Sequence, residues 1–233
     1  MYETSPLLHF AEDTLQIAAL SFMAIVYALK IRWILKFPAA KERQKPTAPP
    51  GRDGRKGALY SLAAIAMPWA MASYRERPLR YIQFAVFHLA VAASILMSFL
   101  IPYAPETIAS PAAVGLLQAI FAAGILMGLM RLWRRLADPH VRAISTPDDY
   151  FSLALLIVWL GASIAAAPNA REVSETPLLV YFFLTAFFLV YVPFSKISHY
   201  IYYPFSRYYL GKTLGRRGAY PLADPAAMLK PES

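Results

Sequence analysis

Hydrophobic positions in this chain come in long blocks separated by short polar ones. The first block runs from about Thr14 to Leu35, with Lys30 and Arg32 near its end. The others cover 81–103, 112–130, 150–167 and 177–203. A spanning helix needs roughly 20 mostly apolar residues. The pattern therefore predicts an all-α membrane protein, a bundle of five transmembrane helices. One membrane domain takes up the whole of residues 1–233.

A sixth apolar block, LYSLAAIAMPWAMASY at 59–74, is short and interrupted by Pro68. It is expected to lie in the inner interface or to pack on the bundle. The stretch 45–57 reads as a flexible basic loop and 219–233 as a flexible, Pro-rich tail.

The basic residues give the bundle a direction. Residues 1–13 contain no Lys or Arg and carry Glu3, Glu12 and Asp13. Twelve basic residues lie between Lys30 and Arg80, four in 131–149 and six from Lys196 onward. The turn 104–111 has none, and 168–176 has only Arg171. In a five-span arrangement 22 of the 23 fall on one side. The positive-inside rule then places the N-terminus outside and the C-terminus in the cytoplasm. If 59–74 crossed as well, its basic flanks would lie on opposite sides and the sorting would be lost. The acidic N-terminus is unlike a secretory signal, which opens with positive charge.

Composition agrees with a membrane protein: 58% of residues are hydrophobic and only 16% charged, against about a quarter charged in soluble domains. The net charge of +9 belongs to the inner loops, so nucleic acid is not an expected partner. There is no cysteine, which excludes disulfides, c-type haem attachment and cysteine-ligated iron–sulfur clusters. No Ser/His/Asp set, carboxylate metal cluster or phosphate loop stands out, so no catalytic residue is assigned.

Candidate chemistry rests on the four histidines. His9 and His140 lie in polar segments and read as surface residues. His88 lies eight residues past Arg80, roughly 12 Å into its helix. An ionisable group at that depth is a functional hypothesis by default. His199 lies near the inner end of the fifth predicted span, so topology brings both histidines to the same side of the bilayer. Two imidazoles on different helices suit the axial positions of a haem b. Ala85 and Ala92, three before and four after His88, leave room on the same helical face. Lys196 and Arg207 lie where propionates would emerge. A plainer reading stands beside this one: His88 hydrogen-bonds a neighbouring helix and His199 is an interface residue. The tyrosines and arginine of YIYYPFSRYY, 200–209, suit interfacial anchoring.

Three segments carry a resemblance to a known family. VPFSKISHYIYYP (192–204), FHLAVAASILMSFLIP (87–102) and RAISTPDDYFSLALL (142–156) resemble the haem b gamma subunit of membrane-bound respiratory nitrate reductases. They are also similar to membrane cytochromes of heterodisulfide reductase and sulfite-reduction complexes. The resemblance covers most of 59–218. It implies a prokaryotic plasma (inner) membrane subunit that takes electrons from a quinol and passes them through haem b to a cytoplasmic iron–sulfur partner. It also implies that His88 and His199 ligate the haem nearer the cytoplasm. Di-haem members carry further histidines where this chain has Ser98 and Tyr181, so a single haem b is expected. The alternative is a haem-free membrane anchor that tethers a soluble redox enzyme. A small transporter ranks last, because the spans hold almost no ionisable residue apart from His88 and no paired broken helices.

Overall fold

The computed structural model describes residues 4–38, 54–67, 69 and 72–221. All regular elements among them are helical. The principal helices are α1 (Pro6–Lys36), α2 (Gly54–Ala63), α3 (Pro78–Tyr103), α4 (Pro111–Ala137), α5 (Pro147–Ala166), α6 (Thr176–Tyr191) and α7 (His199–Arg216). Five stretches are long and apolar enough to cross a membrane: α1, α3, α4, α5 and Thr176–Phe194.

Local chemistry explains where the helices begin. Ser5, Ser110 and Thr146 each stand before a proline that opens a helix. The Ser110 hydroxyl accepts from the Ala113 amide at 3.1 Å. Proline suits the first turn because its missing N–H would be unbonded there anyway. Thr146 and Asp149 form a capping box, in which the Asp149 carboxylate takes the Thr146 amide at 2.8 Å. Helix α4 outruns its predicted span, continuing through Arg131, Arg134 and Arg135 to Ala137. Apolarity ends at the membrane boundary, but helix-forming residues such as Arg and Leu continue.

The fifth span corrects an expectation. It ends at Phe194, not at 203. Pro193 has no N–H to continue the helical ladder, and Ser195 is extended at φ −100°, ψ 171°. A short 3-10 turn, Lys196–Ser198, follows. His199 therefore opens a new helix instead of closing an old one.

The chain forms two compact units. The first comprises 1–30 and 82–198. Its interior mixes large apolar side chains such as Phe121, Leu160 and Phe182 with small polar ones such as Ser94, Ser163 and Thr185, while its outside carries Ile25, Leu29, Leu89, Leu96, Leu116 and Phe187. An apolar outside around an interior that includes hydrogen-bonding side chains suits helices bathed in lipid tails. Buried hydrogen bonds tie the helices together. Ser94 meets Ser163 at 2.7 Å, Trp159 Nε1 donates to Thr185 Oγ1 at 2.9 Å, and Gln118 Nε2 donates to the Ile164 carbonyl at 3.1 Å. Gln16 uses its amide hydrogens on the carbonyls of Ala11 and Phe182, at 2.9 and 2.8 Å. With no water in the hydrocarbon, such groups need partners inside the protein. Helices α3 and α4 cross closely at Gly124, where an added Cβ would collide with that of Ala90.

The second unit comprises 31–81 and 199–233. Here α2 packs on α7 through glycines. A Cβ on Gly57 would collide with the Gly211 carbonyl and lie 2.6 Å from Gly215 Cα. Arg207 Nε donates to the Ser61 carbonyl at 3.2 Å, and Tyr81 donates to the Ile65 carbonyl at 3.1 Å. The apolar block 59–74 is not among the five spanning stretches. Its described part packs within this unit, and the break around Pro68 falls outside the described residues. So do 39–53, holding most of the basic loop, and 222–233, holding most of the tail.

Candidate functional site

His88 sits on α3 in the first unit, half-buried. Its Nδ1 lies 2.7 Å from the Phe84 carbonyl, one turn back. A carbonyl oxygen only accepts, so Nδ1 is the donor in this bond. In histidines that ligate metals, one ring nitrogen commonly donates in this way and fixes the ring's orientation while the other serves as ligand. Phe84 and Phe87 flank the imidazole, with centroids at 4.1 and 6.1 Å. Ala85 and Ala92 are exposed. Their small side chains leave room beside the imidazole for a flat, apolar group. The residues at His88 thus fit one axial position of a haem.

His199 is exposed at the first position of α7, in the second unit. Its ring stands edge-on to Tyr200, with centroids 6.4 Å apart. Arg207 shares α7, eight residues on, or about 12 Å along the axis. Besides its bond to Ser61, its guanidinium lies over the Tyr203 ring at 5.9 Å. His9 and His140 are exposed.

Lys196 belongs to the first unit and is engaged with acids. Its ammonium bridges to Asp149 at 2.5 Å, and its backbone amide donates to Asp148 Oδ2 at 2.8 Å. The expected role of Lys196 at a propionate thus meets a charge already matched by Asp149.

Around Lys196 lies a polar clamp that the sequence reading did not assign. Asp148 Oδ1 accepts from Tyr191 and from Ser152 at 3.2 Å. Asp149 also faces Arg135 at 3.3 Å, and Arg135 donates to Ser145 at 2.7 Å. From the other side, Lys30 donates to the Pro193 carbonyl and sits 5.4 Å from the Phe194 ring centroid. Two signals in the sequence pointed here: the Thr-Pro-Asp-Asp capping box and a lone lysine closing an apolar run.

Ser98 and Tyr181 are both core residues. Tyr181 is fully buried and donates to the Ser94 carbonyl at 2.5 Å. It stacks on Trp159 with centroids 6.3 Å apart and planes 8° from parallel. Ser98 donates to the Ile95 carbonyl at 2.7 Å. Among the described residues no group of three or more His, Asp or Glu could hold a bare metal ion. A bis-imidazole haem needs no such group.

No family model matches the chain. A protein of Nitratidesulfovibrio vulgaris strain Hildenborough, named simply "Protein", is 26% identical to it over 170 residues. The match covers 68% of this chain and 71% of that one.

Proposed function

We propose that the chain is the membrane haem b subunit of a quinol-linked respiratory oxidoreductase complex in the inner membrane of a prokaryote. It relays electrons between the quinone pool and a cytoplasmic iron–sulfur partner. His88 and His199 would hold a single haem b toward the cytoplasmic side. The observation that carries this reading is His88: an imidazole midway along a helix long and apolar enough to span a membrane, oriented by the Phe84 carbonyl and flanked by exposed alanines.

Bound haem would supply a one-electron couple. The chain's own residues do the rest. Phe84 holds the His88 proton on Nδ1 and so presents Nε2. The apolar strip keeps water from the ligand, which strengthens local electrostatics. Arg207 offers a cation near a propionate. The described part of the second unit carries eleven Lys and Arg against one acidic residue, Glu76. That excess supports docking of an acidic-faced partner and an N-out, C-in orientation.

The test is a reduced-minus-oxidised absorption spectrum of the purified full chain, with haem counted per polypeptide. One b-type haem, lost in His88→Ala and in His199→Ala, is the expected result. An intact, folded protein without haem would refute the relay and leave the tethering anchor. Two haems per chain would refute the single-site assignment.

A further inference from the structure

In the second unit α2 and α7 run antiparallel, so the start of one lies beside the end of the other. Ser61 of α2 meets Arg207, and Gly57 meets Gly211 and Gly215. A Cβ placed on Gly54 would lie 2.9 Å from Cγ of Lys212 and 3.2 Å from Cγ of Arg216. The stems of both cations therefore run beside the first residue of α2. Arg55 and Lys56 follow in the same turn and are exposed, as is Arg216. Five cations, counting Arg217 next to Arg216, thus gather at one end of the helix pair. The one acid among the described residues of this unit is Glu76. In the sequence, Asp53 just before α2 is itself preceded by Arg52, so that flank adds no net negative charge.

Helix stability accounts for only part of this cluster. Cations at the end of α7 complement its negative pole, whereas Arg55 and Lys56 sit at the positive pole of α2, where cations are unfavourable. Like charges brought together from two helices also repel one another. An anion at this end relieves both effects, and the neighbouring side chains indicate its kind. Leu59, 67% exposed, comes three residues after Lys56, and exposed Tyr209 comes three before Lys212. Each therefore shares a helical face with a cation. Lys212 Nζ lies 5.7 Å from the centre of the Tyr208 ring, and Tyr60 packs edge-on against Tyr220 with centroids 5.2 Å apart. Helix α2 has ten residues, too few to cross a membrane. Helices that do not cross, yet expose apolar and aromatic side chains beside cations, suit the membrane surface. A free phosphate ion would use the cations and leave the apolar side chains without a purpose.

We propose that this end of the α2–α7 pair is a docking surface for the headgroups of anionic phospholipids. Lys56, Lys212 and Arg216 take the lipid phosphates, and Leu59 and Tyr209 enter the boundary between headgroups and acyl chains. Basic clusters of this size beside a membrane attract anionic lipid by charge complementarity. The surface belongs to the second unit alone and does not depend on the haem reading.

The experiment offers phosphatidylglycerol or phosphatidylcholine, with identical acyl chains, to the purified full chain in mild detergent and counts bound lipid by native mass spectrometry. Wild-type protein is expected to bind phosphatidylglycerol the more tightly. Each cation near a lipid surface contributes roughly fivefold in binding, so Lys56→Gln/Lys212→Gln/Arg216→Gln is expected to weaken phosphatidylglycerol binding by about tenfold or more while leaving phosphatidylcholine binding unchanged. Lys36→Gln/Arg75→Gln/Arg77→Gln removes the same charge from other exposed positions of the unit and is expected to keep wild-type binding. Circular dichroism confirms that each variant is folded. Should the first variant not accumulate as folded protein, Lys56→Gln alone carries an expected loss of about fivefold. Wild-type protein with no preference between the two lipids overturns the proposal. An equal loss in both triple variants also overturns it, since net charge and not this surface is then the cause. Undiminished phosphatidylglycerol binding in the first variant overturns it as well, and loss of a copurifying protein from that variant would then assign the patch to an acidic protein partner. Displacement of phosphatidylglycerol by an equal concentration of inorganic phosphate would mark a small-anion site and overturn the lipid surface.

Discussion

Replacing Arg171 with methionine tests the most enclosed ion pair outside the proposed ligands. Arg171 lies in the loop between α5 and α6, and Glu12 in the π-helical turn Phe10–Thr14 of α1. Their side chains are only 21% and 10% exposed. The guanidinium donates to both Glu12 oxygens, at 3.2 and 2.9 Å. Its remaining donors reach Thr4 at 3.3 Å and Asn169 at 3.0 Å. Asn169 can sit there because its φ of 50° lies in the left-handed region that Asn tolerates. Arg171→Met would leave a nearly enclosed carboxylate without its cation, at a cost of about 3–5 kcal/mol. Even the lower bound is more than a hundredfold in the unfolding equilibrium. Glu12→Gln keeps an acceptor and should cost less, about 1–3 kcal/mol. Because replacing both partners by apolar residues is often near neutral, Glu12→Met/Arg171→Met should fall short of the summed single costs by roughly 2 kcal/mol or more. The assay is reversible unfolding in mixed micelles, with dodecyl sulfate titrated into mild detergent and helicity followed by circular dichroism. A cost below about 1 kcal/mol for Arg171→Met, with additive singles, is the behaviour of a solvated surface pair. It would refute the enclosure argued here.

Three further outcomes follow from the packing. Gly57→Ala places a methyl against the backbone of α7; overpacking of about 1–3 kcal/mol exceeds the roughly 1 kcal/mol gained in helix propensity, so hydrogen exchange should rise in α2 and α7 but not in α3–α6. Tyr181→Phe removes the hydroxyl bond to the Ser94 carbonyl while keeping the ring stack, and should cost about 1 kcal/mol in the same micellar assay, with no change in haem content. Gly124→Leu forces α3 and α4 apart at Ala90, two residues from His88, and should cost about 3 kcal/mol or more; its haem content, read from the same difference spectrum, should fall with it.

Much of the architecture was legible in the chain because lipid imposes a simple rule. A crossing helix must be long and apolar, so all five spans could be located by counting residues, although α1 begins at Pro6 rather than 14 and α4 runs to Ala137 rather than 130. His88 could be picked out for the same reason, as an ionisable group costs energy at that depth. The Phe84 carbonyl four residues back was equally implicit in helical spacing.

Tertiary structure decided what counting cannot see. The aromatic block Tyr200–Tyr203 beyond the polar Ser195–His199 stretch made the span look longer than it is, and neither Pro193 nor Lys196 by itself says where the next helix begins. The stop comes from Pro193 together with an external carboxylate, Asp148, that rewards the broken backbone with a partner for the Lys196 amide. In the same way, the role of Lys196 turned on Asp149, 47 residues away. The pairing of α2 with α7 depends on Gly57 meeting Gly211 and Gly215. Hydropathy is a property of each residue alone, and it fixed which segments leave water. Hydrogen bonds and close packing are properties of pairs distant in the chain, and only folding brings those pairs together.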